Sequence, residues 1–170
     1  MPESRRRYKI MRIRPIDAKD RHRVCEIIKA VGNFNEVEMD VAIELVDDSI
    51  SEYSSGDYIS CVLEDELGEV QAFGCYGLTP LTDATYDFYW MAVHPDAQGR
   101  GIGRKLIRFV EEDVRARGGN LLVLETSSQE SYRRTTSFYQ KSGYELTSRI
   151  RDFYRANDDK LIYVKYLKEK

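Results

Sequence analysis

Apolar and polar residues alternate from Lys9 to Ile16 (KIMRIRPI), the two-residue period of a strand with one face turned to a core. The rhythm then lengthens. Val24, Ile27, Ile28 and Val31 fall on one helical face, with Asp17 placed to cap the helix and Gly32 to end it. A second helical pattern runs from Asn35 to Tyr53 through Val37, Val41, Leu45 and Ile50, and the polar stretch SSGD breaks it. Three strand-like runs follow. Tyr58–Glu64 and Glu69–Leu78 join through DELG as a hairpin. Tyr86–Val93 (YDFYWMAV) has the aromatic and apolar composition of a central strand, and Pro95 closes it.

A helix is expected next, from Gly101 to Arg117, on the spacing of Ile102, Leu106, Phe109, Val110 and Val114, with Gly118 and Gly119 as its stop. The continuous apolar run Leu121–Thr126 follows that helix, which predicts a strand parallel to the one before it. A fourth helix is expected over Gln129–Ser142. Two last strands, Tyr144–Tyr154 and Lys160–Leu167, flank the turn ANDD. The order is β-α-α-β-β-β-α-β-α-β-β. It predicts an α/β (α+β) fold with a mixed central sheet of seven strands and four helices. The length of 170 residues suits one domain, expected over residues 8–170, preceded by a flexible basic arm over residues 1–7.

Composition narrows the functions. A net charge of −3 does not suit a nucleic-acid binder. No apolar run reaches the roughly 20 residues of a membrane span, and the basic start lacks the apolar segment of a secretory signal. Cys25, Cys61 and Cys75 form no paired framework, and with only His22 and His94 beside them a metal site is not expected. A cytoplasmic protein, monomer or homodimer, is the expectation.

The chemistry concentrates after the fourth strand, in VHPDAQGRGIG. A helix start leaves main-chain amides unpaired and carries partial positive charge. Gly99, Gly101 and Gly103 let that main chain curl close to a phosphate. The loop lacks the GxxxxGK and following hydroxyl of a P-loop, and it does not follow the first strand as a dinucleotide fingerprint does.

Gln98-Gly99-Arg100-Gly101-Ile102-Gly103 resembles motif A of the GNAT family of N-acetyltransferases, Q/R-x-x-G-x-G/A. FYQKSGYE, from Phe138 to Glu145, is similar to its motif B. The order of elements matches over nearly the whole chain. The resemblance implies acetyl-CoA as cosubstrate and a sheet whose fourth and fifth strands splay. It also implies a pantetheine arm pairing along Met91, Ala92 and Val93, and a pyrophosphate on the amides from Arg100 to Gly103. Gln98, Gly99, Ile102, Arg104 and Ser137 complete the expected cofactor contacts, with Lys105 as a further nearby charge.

Acetyl transfer to an amine needs a base for the ammonium proton, a donor for the tetrahedral oxyanion and an acid for the leaving thiolate. The resemblance makes Tyr139 the acid, near the thioester sulfur. The base is left open between Asp87, Glu125 and water. Strand alternation puts Asp87, Tyr89 and Met91 on one face and Phe88, Trp90 and Ala92 on the other. The family's asparagine seven residues before the tyrosine is replaced here by Tyr132. Phe153 and Tyr154 are candidates for an acceptor wall. The acceptor is a primary amine, a small molecule by preference, with a protein N-terminus or lysine as the alternative. A non-catalytic acyl-CoA-binding module is the third reading.

Overall fold

A computed structural model describes residues 11–167. The basic arm expected over residues 1–7 lies outside them. One seven-stranded sheet runs through the described chain: β1 (Arg12–Pro15), β2 (Ile59–Glu64), β3 (Val70–Leu78), β4 (Thr85–Val93), β5 (Leu121–Ser127), β6 (Glu145–Arg155) and β7 (Asp158–Tyr166). Their spatial order is β1-β2-β3-β4-β5-β7-β6. Every neighbouring pair is antiparallel except β4 with β5. The expected mixed sheet and four helices are therefore present.

Helices α1 (Arg21–Val31) and α2 (Glu36–Ile50) cover one face of the sheet. Val24, Ile27, Ile28, Ala42 and Val46 pack there on Val62, Phe73 and Cys75. Asp17 does cap, but it caps a short 3-10 turn that leads into α1. Asn35 opens α2 by accepting from the Glu38 amide at 2.9 Å, while Glu38 accepts from the Asn35 amide at 2.8 Å. The helix ends at Ile50, short of the expected Tyr53, because Ser51 turns extended.

Helix α3 (Ile102–Ala116) covers the other face with Ile102, Leu106, Ile107, Val110 and Val114 fully buried. Each such side chain contributes about 1.5–3 kcal/mol when taken from water. Helix α4 (Arg133–Lys141) is preceded by a 3-10 turn, so it starts later than its sequence pattern suggests. A buried polar cluster fixes its far end. Glu111 of α3 accepts from Tyr144 Oη at 3.0 Å and from Lys165 Nζ of β7 at 2.8 Å. The same ammonium donates to the Ser142 carbonyl at 2.9 Å, just past α4. Paired and hydrogen-bonded in this way, buried charges are tolerable, and breaking one of them is costly.

The last hairpin is tighter than ANDD suggested. Arg155 pairs with Asp158 across Ala156 and Asn157, and Asn157 takes the left-handed conformation at φ 62°. Asp158 and Asp159 thus become buried strand residues. Among the described residues no helix is long and apolar enough to cross a membrane.

Candidate active site

The centre of the sheet is where pairing fails. β4 and β5 are in register only from Thr85–Leu121 to Asp87–Val123. Beyond Asp87, β4 keeps β3 on one side and loses β5 on the other, while β5 stays with β7 through Ser127. The expected splay is present.

A bulge re-aims the side chains along the open half. Cys75 of β3 pairs with Trp90 and the next residue, Tyr76, pairs with Phe88, so Tyr89 is the extra residue. Tyr86 and Phe88 pack with α3, whereas Tyr89, Trp90 and Ala92 pack toward α1 and α2. Met91 returns to the α3 face. The simple alternation expected from the sequence is therefore corrected at Tyr89. One inserted residue reverses every side chain after it.

After Val93 the chain folds back on itself. His94 is a turn residue, its Nδ1 accepting from the Asp96 amide at 3.3 Å. Gln98 Nε2 donates to the Val93 carbonyl at 3.1 Å, tying the loop to the end of β4. Gly99 and Gly101 both stand in the left-handed region, at φ 76° and 78°. From Gly99 to Arg104 the main-chain amides find no acceptor among the described residues; Lys105 is the first to do so, on Gly101 at 3.0 Å. Those amides, at the positive end of a 15-residue helix, are donors suited to an anion. A Cβ on Gly103 would touch the Phe138 ring at 3.5 Å, so α4 stands directly beside the helix start. A second hollow of about 600 Å³ lies on α4, lined by Arg133, Arg134, Ser137, Phe138 and Lys141.

A cavity of about 460 Å³ occupies the splay. Met91 lines it from β4, Tyr139 from α4, Phe34, Val37 and Val41 from α2 and its approach, and Glu125 from β5. Tyr139 is buried among the rings of Phe138, Tyr144 and Tyr163, and its hydroxyl makes no hydrogen bond among the described residues. Burial pushes this phenol well above its ordinary range, with the neighbouring Tyr132 and Tyr163 adding to the shift. It stays protonated at neutral pH.

The two candidate carboxylates part company. Glu125 lines the cavity, with its Oε2 2.5 Å from Lys160 Nζ. Asp87 is not among the lining residues; it sits in the paired part of β4 and accepts from Thr79 Oγ1 at 2.7 Å. Phe153 and Tyr154 also separate, as strand neighbours do. Tyr154 lines the cavity, while Phe153 lies outside it with Lys160 over its ring at 4.5 Å.

Tyr132, legible in the sequence only as a missing asparagine, has a distinct place. Its hydroxyl donates to the Asn33 carbonyl at 2.8 Å, and Asn33 Nδ2 donates back to the Ser131 carbonyl at 3.4 Å. This pair clasps the α1–α2 loop to the approach of α4 across the cavity. Burial, then the charge of Glu38, raises the Tyr132 phenol to about 12. Phe34, Trp90, Glu38 and Asp158 also line the cavity without having been singled out by any motif. The Asn35–Glu38 capping box was the one local signal near them.

Residues 56–146 match the family model described as an acetyltransferase (GNAT) domain. The chain belongs to the GNAT family of acetyltransferases. This GNAT chain is 36% identical to a GNAT-family protein from Desulfovibrio desulfuricans, with 93% of this chain and 99% of that one covered at a TM-score of 0.88. An IAA acetyltransferase of Azospirillum brasilense is 35% identical over 72 residues, 42% of this chain and 46% of that relative. The match thus spans less than half of the Azospirillum protein. A Salmonella typhimurium protein solved with its cofactor acetyl-CoA shares the fold at 22% identity and a TM-score of 0.72, with 94% and 95% of the two chains covered.

Proposed function

We propose that this GNAT enzyme acetylates a small primary amine from acetyl-CoA in a ternary complex, in the cytoplasm. The observation that carries this reading is the coincidence of three features at one opening. Unpaired amides lead into α3, β4 splays from β5, and Tyr139 lies inside the splay. The acceptor range follows from the size of the cavity, which suits a small molecule.

The residues fit acetyl-CoA. Amides from Arg100 to Gly103 hold the pyrophosphate, with Gln98 and Gly99 shaping the loop and Arg104 adding charge. The open side of Met91–Val93 offers main-chain groups to the pantetheine, and Ser137 flanks it from α4. The bound thioester supplies the acetyl group. The amine nitrogen attacks the carbonyl carbon, an N–C bond forms and the C–S bond breaks. A main-chain amide near Ala92 or Val93 receives the oxyanion. Tyr139 gives its phenolic proton to the departing sulfur. Glu125, the carboxylate that shares the cavity with Tyr139, takes the amine proton through water or directly; Asp87, bonded to Thr79, serves the sheet.

The test is release of free CoA thiol from acetyl-CoA across a panel of amines, amino acids, amino sugars and peptides, with a parallel melting scan in acetyl-CoA. A rise in melting temperature together with thiol release for a small amine is the expected result. No thermal shift and no thiol would refute the reading. Release only with peptides would move the acceptor to proteins.

A further inference from the structure

We infer that the preferred acceptor is a small primary amine borne on an aromatic or branched hydrocarbon, with no carboxylate beside the nitrogen. This narrows the acetyl-transfer reading above and rests on it.

The α2 side of the cavity is apolar beyond any need of the core. Ala42 and Val46 already bury the stripe of α2 that faces the sheet. Val37 and Val41, one helical turn apart, line the cavity while 72% and 43% exposed. Phe34 and Trp90 extend that surface, meeting edge to face at 5.1 Å. Tyr154, 41% exposed, lines the same cavity. Water-exposed valine beside two aromatic walls is surface that a hydrocarbon would cover, at about 0.8 kcal/mol per CH₂.

The polar part of the same cavity has the opposite preference. Three carboxylates line it, Glu38, Glu125 and Asp158, against one cation, Arg155. The cations at hand are engaged. Arg155 Nε stands 3.4 Å from Asp158, and Lys160, next to the cavity, stands 2.5 Å from Glu125. An incoming ammonium therefore meets Glu38, the lining carboxylate without a cation partner among the described residues, whereas an α-carboxylate meets no unengaged cation in the lining. A second ammonium at the far end of a diamine would leave Phe34, Val37 and Val41 uncovered and forgo the burial that a hydrocarbon end supplies. Amino acids and polyamines are each disfavoured on these grounds. The transfer itself is unchanged: one N–C bond forms, one C–S bond breaks, and a proton passes from the amine to the base while Tyr139 supplies the thiol proton.

The experiment compares kcat/KM for phenethylamine, isoamylamine, putrescine, phenylalanine and a peptide beginning with phenylalanine, all at saturating acetyl-CoA. Phenethylamine and isoamylamine are expected to exceed putrescine and phenylalanine by about 10-fold or more, the discrimination a few apolar groups supply. Equal or better rates with putrescine, phenylalanine or the peptide would overturn the inference and leave acetyl transfer standing. Silence with every acceptor would overturn both. Val41→Asp, at a half-open position, provides the second arm in protein that still melts higher with acetyl-CoA. Its phenethylamine-to-putrescine ratio is expected to fall about 10-fold, and an unchanged ratio would remove α2 from the specificity wall.

Discussion

The proposed phosphate loop and the proposed acceptor wall are built from different material. The loop is main chain: a run of unpaired amides from Gly99 to Arg104, where a helix begins after two glycines at left-handed angles. The wall is side chain. Phe34, Val37, Trp90, Glu125, Tyr154 and Asp158 come from four separate stretches of the chain and meet only in the fold. A main-chain site depends on a few conformations at fixed local spacing. A side-chain site depends on every element that carries a piece of it. The first is unforgiving of a single residue, and the second can be retuned residue by residue.

Breaking the loop should therefore have the largest effect. Gly101→Val is expected to abolish acetyl-CoA binding, read by calorimetry or thermal shift. A β-branched residue resists φ 78°. Because nothing lies within 4 Å of an added Cβ there, the loss reflects backbone and ligand rather than core packing. Tight binding by a folded Gly101→Val protein would move the phosphate seat elsewhere.

On the wall, Tyr139→Phe is expected to lower kcat by about 10²-fold with acetyl-CoA affinity nearly kept. Since burial raises this phenol, activity of the parent should also persist toward alkaline pH, past the ordinary tyrosine range near 10. An early alkaline fall, or an unimpaired Tyr139→Phe, would remove the acid assignment. A smaller effect separates the two carboxylates. Glu125→Gln is expected to cost about 10-fold or more and to flatten the acidic limb of the rate profile. Asp87→Asn, altering a group bonded to Thr79, should keep that limb. The reverse pattern would return the base to Asp87, and two unchanged limbs would leave the proton to water.

What the sequence made legible follows the same divide. Element order and the glycine loop rest on local periods and spacings, while the splay of the fourth and fifth strands was implied by the family resemblance. Motif B likewise carried Tyr139, whose ring the structure brings into the cavity. The bulge at Tyr89 was not legible, because an inserted residue shows only against its partner strand. Nor was the separation of Asp87 from Glu125, which depends on where β4 leaves β5. Phe153 and Tyr154 looked equivalent as neighbours, and only the placement of the last hairpin tells which one meets the cavity. Tyr132 read as a lost contact, yet its partner Asn33 lies 99 residues away.

The shortened pairing of β4 with β5 has a thermodynamic consequence. An interior strand with one open side is a seam in the middle of the molecule, and whatever fills that seam becomes part of what holds the two halves together. Binding by the native state alone adds about 2.7 kcal/mol when the ligand stands at a hundred times its Kd. The fold's resistance to heat and to proteases is then expected to rise and fall with the supply of acetyl-CoA.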